Sequence, residues 1–316
     1  MLVMILTALA TLVISLICTA LVRRLAIRFK IFDTPNYRTI HQALIPKLGG
    51  LSIFVAFSLG LSIFSFATKF NGNLWGLLIG GGLVSLVGFL DDIYILGCYR
   101  KLIGQAVATG FAIYFGFSFH AISLPFGITV ELGILGIPLS MLWILAITNG
   151  VNLLDGLDGL AAGFSILVAL FILIGAEFSQ NITLAAGALI FIAASLGFLK
   201  FNFPPAKIFM GDMGSLFLGY FLACLSIKAF TFPSLGPQFG VLLILFSVPL
   251  ADTSLAILRR LRLGKHPFFA DKKHIHHRLL EMGFNQLYAV LTIYAVTFVC
   301  GIIGLVLLVS NFNQSF

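Results

Sequence analysis

Long apolar runs follow one another from end to end of this chain, and they constrain its fold more than anything else in it. A helix needs about 20 mostly apolar residues to cross the hydrocarbon core of a bilayer. Ten such stretches can be marked, at 2–22, 48–68, 74–90, 102–119, 134–150, 159–177, 182–199, 213–230, 239–258 and 286–310. Charged residues are only 9% of the 316, too few for the surface of a soluble domain of this length. The expectation is an all-α polytopic membrane protein with about ten transmembrane helices, residues 1–316 forming one integral-membrane domain. Met1 opens directly on an apolar run, without a basic leader or a small-residue cleavage site, so that run reads as a span and not a signal peptide.

Charge sets the expected orientation. The cluster Arg23, Arg24, Arg28 and Lys30 follows the first run and should hold that end in the cytoplasm. With the N-terminus outside, all but Lys69 and Lys228 of the 19 lysines and arginines fall at cytoplasmic ends or loops, and ten spans return the C-terminus to the outside. The net charge of +8 then reports loops facing the anionic leaflet, with no need for nucleic acid as a partner. Acidic residues do not obey this topological bias, yet only Glu131 and Glu177 fall outside. Asp33, Asp91, Asp92, Asp155, Asp158, Asp212, Asp252, Asp271 and Glu281 all gather at the cytoplasmic face. One composite active site on that face is the economical explanation. Cys18, Cys98, Cys224 and Cys300 are scattered, which indicates neither a disulfide nor a zinc site.

The polar stretch Thr148–Leu160, TNGVNLLDGLDGL, interrupts the apolar sequence most abruptly. Asn149, Asn152, Asp155 and Asp158 at the mouth of a membrane segment cost several kcal/mol unless they face water, a cation or a ligand. On a helix, Asn152, Asp155 and Asp158 would start on one face. A capped helix end would explain one Asp and one Gly, but not four polar groups. Asp91-Asp92 closes the third span in GFLDDIYILG, where adjacent like charges call for a cation, a phosphate-handling role or a solvated helix end. Phe209–Ser215, FMGDMGS, is a second acidic turn, preceded by Asn202-Phe203-Pro204-Pro205. Its glycines allow close backbone approach, and one hard carboxylate suits Mg²⁺.

Lys272–Arg278, KKHIHHR, is basic. As a helix it would put His274 and His277 on one face and His276 on another. Zinc is the obvious alternative there, but no Cys or Glu stands at ligand spacing, and imidazoles among Lys and Arg suit a diphosphate and its sugar. His41 and Ile45–Gly50, IPKLGG, form a further basic turn. Ile122–Gly136 reads as a small external hairpin, and Gly80–Gly82 as a close helix contact, since no Lys-Ser/Thr follows it as in a phosphate loop. Acids for Mg²⁺, bases for phosphate and a bilayer location together point to phosphoryl chemistry on a membrane-embedded acceptor. A secondary transporter is the reading from another class. It would place charges near mid-span and show an internal repeat.

The motifs RTIHQALIPKLGG, GFLDDIYILG, TNGVNLLDGLDGLAAG, FNFPPAKIFMGDMGSLFLG and KKHIHHRLLEMGF, in this order from Tyr37 to Gly283, resemble the polyprenyl-phosphate N-acetylhexosamine-1-phosphate transferases. IPKLGG, HIHHRLL and Asp252 look like the branch using UDP-N-acetylglucosamine or a related UDP-N-acetylhexosamine. The muramyl-pentapeptide branch has a TPTMGG-like turn, three consecutive histidines and a glutamine at these places. The resemblance implies transfer of sugar-1-phosphate from the UDP-sugar to undecaprenyl phosphate with release of UMP. It implies Mg²⁺, or Mn²⁺ in its place, and a multi-pass protein of the bacterial cytoplasmic membrane that starts O-antigen, teichoic-acid or similar envelope glycans. It leaves room for a homodimer.

By position, Asp212 would ligate the metal, and Asp91 and Asp92 would activate the lipid phosphate near it. Asn152, Asp155 and Gly156 would hold the uridine or diphosphate, with Asp158 supporting the loop. Phe209 would stack on uracil and Asn202 would line the site. His276, His277 and Arg278 would meet the diphosphate or sugar, joined by His274, Asp252 and the basic Lys47 and Lys101. One departure is Ile95, where the muramyl branch has a lysine, so another basic group must serve. Direct attack by the lipid phosphate and a covalent aspartyl intermediate are both open at this point.

Overall fold

The computed structural model describes residues 1–33, 44–68, 74–123, 128–230, 238–266 and 273–313. His41, Lys69, Pro125, Gly127, Asp271 and Lys272 lie outside the described residues. Helices stand at all ten expected spans: α1 (Leu2–Arg28), α2 (Gly49–Thr68), α3 (Leu74–Tyr94), α4 (Cys98–Tyr114), α5 (Gly136–Leu154), α6 (Leu160–Phe178), α7 (Ile182–Asn202), α8 (Gly211–Ala229), the pair α9 (Gln238–Leu245) and α10 (Ser247–Arg262), and α12 (Gln286–Asn313). A short α11 (Ile275–Glu281) precedes the last. The chain is therefore a multi-pass helical membrane protein.

Among the described residues eight helices are long and apolar enough to cross a membrane, or nine if the bent pair counts as one. The 17 residues of α4 rise about 26 Å, less than a hydrocarbon core of about 30 Å. The expected straight span 239–258 is instead broken at Phe246, where α9 and α10 meet at 76°. Pro249 explains the break. Its ring would strike the carbonyl of Leu245 in a continuous helix, whereas the first turn of a new helix tolerates it. The structure is not wholly α either. β1 (Phe32–Asp33) pairs antiparallel with β2 (Ile45–Pro46). β3 (Ala121–Ser123) pairs with β4 (Thr129–Glu131), the hairpin expected between Ile122 and Gly136.

Helix α8 runs through the middle and is buried along nearly its whole length. Phe217 and Phe221 pack there with Phe57 of α2 and Phe191 of α7, Phe221 lying 4.5 Å from each of the last two rings. Gly80–Gly82 is the close contact its composition implies. A side chain on Gly80 would run into the Tyr220 ring and come within 3.0 Å of the Ala108 carbonyl. On α1 the hydroxyl residues Thr7, Thr11, Ser15 and Thr19 form a buried inward stripe. Ser15 donates to the Ala194 carbonyl (2.6 Å) and Thr19 to Ser52 (2.8 Å), while Leu6, Leu9, Ile17 and Leu21 of α1 face outward. All four cysteines are free thiols.

Candidate active site

The site forms where the C-terminal ends of α3, α5 and α7 meet the N-terminal ends of α4, α6 and α8. At its centre is Asp92. Its Oδ1 accepts from the backbone N–H of Asp212 (3.0 Å) and its Oδ2 from that of Met213 (3.1 Å). Asp92 therefore caps α8 from another helix, supplying a carboxylate to the positive end of the α8 dipole. Gly211 makes room for this: it has φ +71°, and a Cβ there would enter the Asp92 carboxylate. The Asp92 side chain is only 1% exposed and pairs with Lys47 Nζ at 2.9 Å, which also lies 3.6 Å from Asp33. Burial opposes the charge on Lys47, but Asp92, Asp33 and Asp212 outweigh it and raise its pKa.

The vicinal pair thus divides its work. Asp91 turns to Lys101, whose ammonium donates to Asp91 Oδ2 (3.0 Å), Asn152 Oδ1 (3.2 Å) and Asp212 Oδ2. Asn152 Nδ2 in turn donates to Asp212 Oδ1 (2.9 Å) and to Ser215 Oγ (2.8 Å). Four helices, α3, α4, α5 and α8, meet in this cluster. Lys101 is the basic group at Asp91, as Lys47 is at Asp92. Ile95 is exposed at φ +53° just beyond α3.

Beside the cluster is a cavity of about 280 Å³. Asp155, Gly156, Leu157 and Asp158 form one wall, with Asn202 and Phe209 next to them; Gly211 and Asp212 close one side, Asp33 and Lys47 another, and His276, His277 and Gln286 a third. The helical face expected for Asn152, Asp155 and Asp158 does not exist as such. Helix α5 stops at Leu154, and residues 155–159 turn back through Gly159 at φ +75°. Only Asn152 is helical, and it points to the cluster, while the two aspartates face the cavity.

The turn is held from outside. Asn202 accepts from Gly159 N–H (3.0 Å) and donates to the Ile208 carbonyl (2.9 Å), and Asp158 accepts from Ala206 N–H (2.9 Å). Tyr294 of α12 donates to the Gly159 carbonyl (2.6 Å). The backbone of Phe209 bonds to Pro46 and Gly49, which fixes its half-buried ring beside Asn202. Burial, and then the charges of Asp212 and Asp92, push the Asp155 carboxyl up to about 8.

The histidines differ from the helix-face expectation. Helix α11 begins only at Ile275, and His274 before it is extended with ψ 161°, so all three rings converge. Ring centroids of His276 and His277 are 4.2 Å apart, and His274 lies 5.9 Å from His276. Buried Asp252 anchors this segment, 2.8 Å from His274 Nδ1 and accepting from Ile275 N–H at 2.8 Å. His274 and Asp252 thus support the cavity without lining it, and Arg278 is exposed and also outside the lining. His276 is 2% exposed, neither ring nitrogen has a hydrogen-bond partner, and only a glycine at 156 leaves room for its ring. Burial first, and then His277 and His274, lower its pKa to about 3, so it is neutral at physiological pH. A buried imidazole with two unused nitrogens facing a cavity is built to bond a ligand without adding charge.

The oxygens of Asp91, Asp212 and Asn152 are a donor set that suits a hard cation. Among the described residues no three His, Cys, Asp or Glu side chains converge closely enough to form a protein-only cage. The two carboxylates of that set suit Mg²⁺, which typically takes one or two from the protein and leaves other positions to water and substrate phosphates. Of the lining groups, Asp33, Leu157, Gly211 and Gln286 were not singled out as site residues from the sequence. Nor was Ser215, which became part of the site only through its bond to Asn152.

Residues 74–230 match the sequence model of glycosyl transferase family 4. Over 298 residues the chain is 39% identical to a Bacillus subtilis protein described as "probable undecaprenyl-phosphate N-acetylglucosaminyl 1-phosphate transferase", covering 92% of this chain and 81% of that one. It is 33% identical over 321 residues to the decaprenyl-phosphate N-acetylglucosaminephosphotransferase of Mycolicibacterium smegmatis (92% and 78%). It is 30% identical over 297 residues to the undecaprenyl-phosphate alpha-N-acetylglucosaminyl 1-phosphate transferase of Yersinia pestis (90% and 79%).

Proposed function

Since the chain belongs to glycosyl transferase family 4, we propose that it transfers N-acetylglucosamine 1-phosphate from UDP-N-acetylglucosamine to a polyprenyl phosphate, undecaprenyl phosphate in the first instance, releasing UMP. The relatives' names support the sugar phosphate and the lipid acceptor. The observation that carries the chemistry is the convergence of Asp91, Asn152 and Asp212 on one ammonium at the edge of a cavity rimmed by Lys47 and an unpartnered imidazole. The names of these three relatives favour neither the muramyl-pentapeptide nor the transporter reading.

In this reading a lipid-phosphate oxygen attacks the sugar-bearing phosphorus of the donor. The bond from that phosphorus to the bridging oxygen breaks, and UMP leaves with the electron pair. Two anions must approach each other, and Mg²⁺, which Asp212 and Asp91 would hold, would supply positive charge to the transferring phosphoryl group. Lys101 holds those carboxylates and the Asn152 amide in register and adds its own charge to the same place. Asp91 is the carboxylate of the pair left to orient the lipid phosphate near the metal, because both oxygens of Asp92 are committed to the start of α8. Asp92 is then a positioning group for Asp212. Phe209 and Asn202 flank the uracil, while Asp155, whose burial favours the protonated form, and neutral His276 donate hydrogen bonds to the diphosphate and sugar. The positive-inside bias supports placing this face in the cytoplasm of a bacterial inner membrane.

The test is UMP release by purified protein in detergent with undecaprenyl phosphate and Mg²⁺, run with UDP-GlcNAc, UDP-GalNAc and UDP-MurNAc-pentapeptide and with an EDTA control. Lipid-dependent UMP from UDP-GlcNAc that EDTA abolishes is the expected result. UMP from the muramyl donor alone would overturn the branch, and EDTA-resistant turnover would overturn the metal.

A further inference from the structure

One polar pair inside the membrane has no place in the chemistry above. Gln105, on α4, is 1% exposed, and Asn149 faces it from α5. The two amides bond reciprocally: Gln105 Nε2 donates to Asn149 Oδ1 (3.2 Å) and Asn149 Nδ2 to Gln105 Oε1 (2.6 Å). Asn149 also donates to the Leu145 carbonyl of its own helix (2.8 Å). Neither residue lines the cavity.

Their place along the helices gives the pair a meaning. Gln105 is one turn beyond Lys101 on α4, and Asn149 one turn before Asn152 on α5, so each shares a face with its neighbour. The two antiparallel helices are therefore joined by two polar rungs. The upper is Lys101 to Asn152 (3.2 Å), and the lower is Gln105 to Asn149. The upper rung ends on Asp212, at the reacting centre, while the lower sits a turn deeper, away from water. A reciprocal amide pair accepts only one register. A slip of one residue moves Lys101 by about 1.5 Å along α4 and leaves both amides unpaired.

We propose that Gln105 and Asn149 are positioning residues for the transfer: they fix the register of α4 against α5, so that Lys101 and Asn152 arrive together on Asp212. This rests on the reaction proposed above. The rival is that the pair merely glues two helices, as polar side chains at membrane helix contacts do.

Four variants separate the two: Gln105→Leu, Asn149→Leu, the double leucine, and the exchange Gln105→Asn/Asn149→Gln. Each is measured for kcat, for KM toward both substrates and for thermal midpoint in detergent. A misplacement near 1 Å costs up to about 100-fold in rate. Each single leucine should therefore lower kcat about 10- to 100-fold, with both KM values within about twofold of wild type. The double leucine leaves no amide unpaired, so its midpoint should return toward wild type while its kcat stays low. The exchange restores the pair and should recover kcat to within about threefold of wild type, since the same two hydrogen bonds can form.

A double leucine with wild-type kcat, or kcat that simply follows the midpoint through the series, overturns the positioning role. If the double leucine fails to fold, the exchange decides alone: recovery supports the register clamp, and a kcat as low as the single variants overturns it. Wild-type protein that releases no UMP would instead remove the transferase reading, and the clamp with it.

Discussion

Substituting Gly211 by alanine tests how the reacting carboxylate is placed. Gly211 has φ +71°, and its new methyl would lie 3.0 Å from both Cγ and Oδ1 of Asp92. The left-handed backbone costs an L-residue roughly 1–2 kcal/mol. Asp92 must also shift, and its bonds to Asp212 and Met213 N–H are of the charged kind, contributing about 1.5–3 kcal/mol each. Weakening both by a fraction and adding the strain gives a loss of about 2–4 kcal/mol. If that appears as misplacement of Asp212 in the transition state, kcat falls between about 30-fold and nearly 1,000-fold.

Gly264→Ala is the matched control. Gly264 has φ +65°, similar backbone strain, and nothing within 4 Å of where its Cβ would be. UMP release and thermal midpoint would be measured for both variants in the same detergent. Gly264→Ala should lower the midpoint and leave kcat within about twofold of wild type, because strain away from the site acts on stability and not on transition-state binding. Equal kcat losses in the two variants, or wild-type turnover in Gly211→Ala, would refute the reasoning from the Asp92 cap.

Three further outcomes are expected. Asp212→Asn should lose Mg²⁺-dependent turnover while still inserting and purifying normally, and unchanged activity would remove the metal assignment. Phe209→Ala should raise KM for the UDP-sugar more than for the lipid, which steady-state kinetics with each substrate varied will show. Asp155 should shape the pH dependence of stability in metal-free buffer. Its native pKa near 8 lies far above the ordinary carboxyl value of about 3.9. The folded state therefore binds the proton more tightly, and this contribution is full below about pH 4 and is lost as pH rises through about 8. The thermal midpoint of wild type should fall more steeply than that of Asp155→Asn between those limits; parallel curves would contradict it.

The spans were legible because apolarity is local: twenty residues either can or cannot sit in lipid, and every stretch so marked carries a helix. Gly80–Gly82 and the hairpin after Ala121 were legible for the same reason, since small residues and short alternation state their own packing. The break at Phe246 was also written locally, in Pro249, but the uninterrupted hydrophobicity from 239 to 258 obscured it. What the sequence did not reveal was pairing at a distance. Adjacent Asp91 and Asp92 look alike on paper, yet one faces Lys101 and the other caps a helix that begins 119 residues later. Helical spacing would put Asp155 and Asp158 with Asn152; Gly156 and Gly159 signal a turn locally, but nothing nearby says that Asn202 and Tyr294, far along the chain, hold it. The burial of His276 similarly depends on Gly156 and on Asp252 anchoring the neighbouring residues.

The Asp92 cap also imposes an order on biogenesis. At about 5–20 residues per second, the ribosome needs on the order of 6–24 seconds after Asp92 to deliver the two backbone amides that this carboxylate will bind. In that interval α3 is already leaving the translocon with two adjacent negative charges at its end. Lys47 has been synthesised by then, and Lys101 follows within about two seconds at that pace. These are the lysines that pair with Asp92 and Asp91 in the folded protein, and they are made before α8 is. A chain halted before α8 would have its charges paired but no catalytic geometry, so competence would come as a late event of synthesis, when the eighth helix settles onto a carboxylate that has been waiting for it.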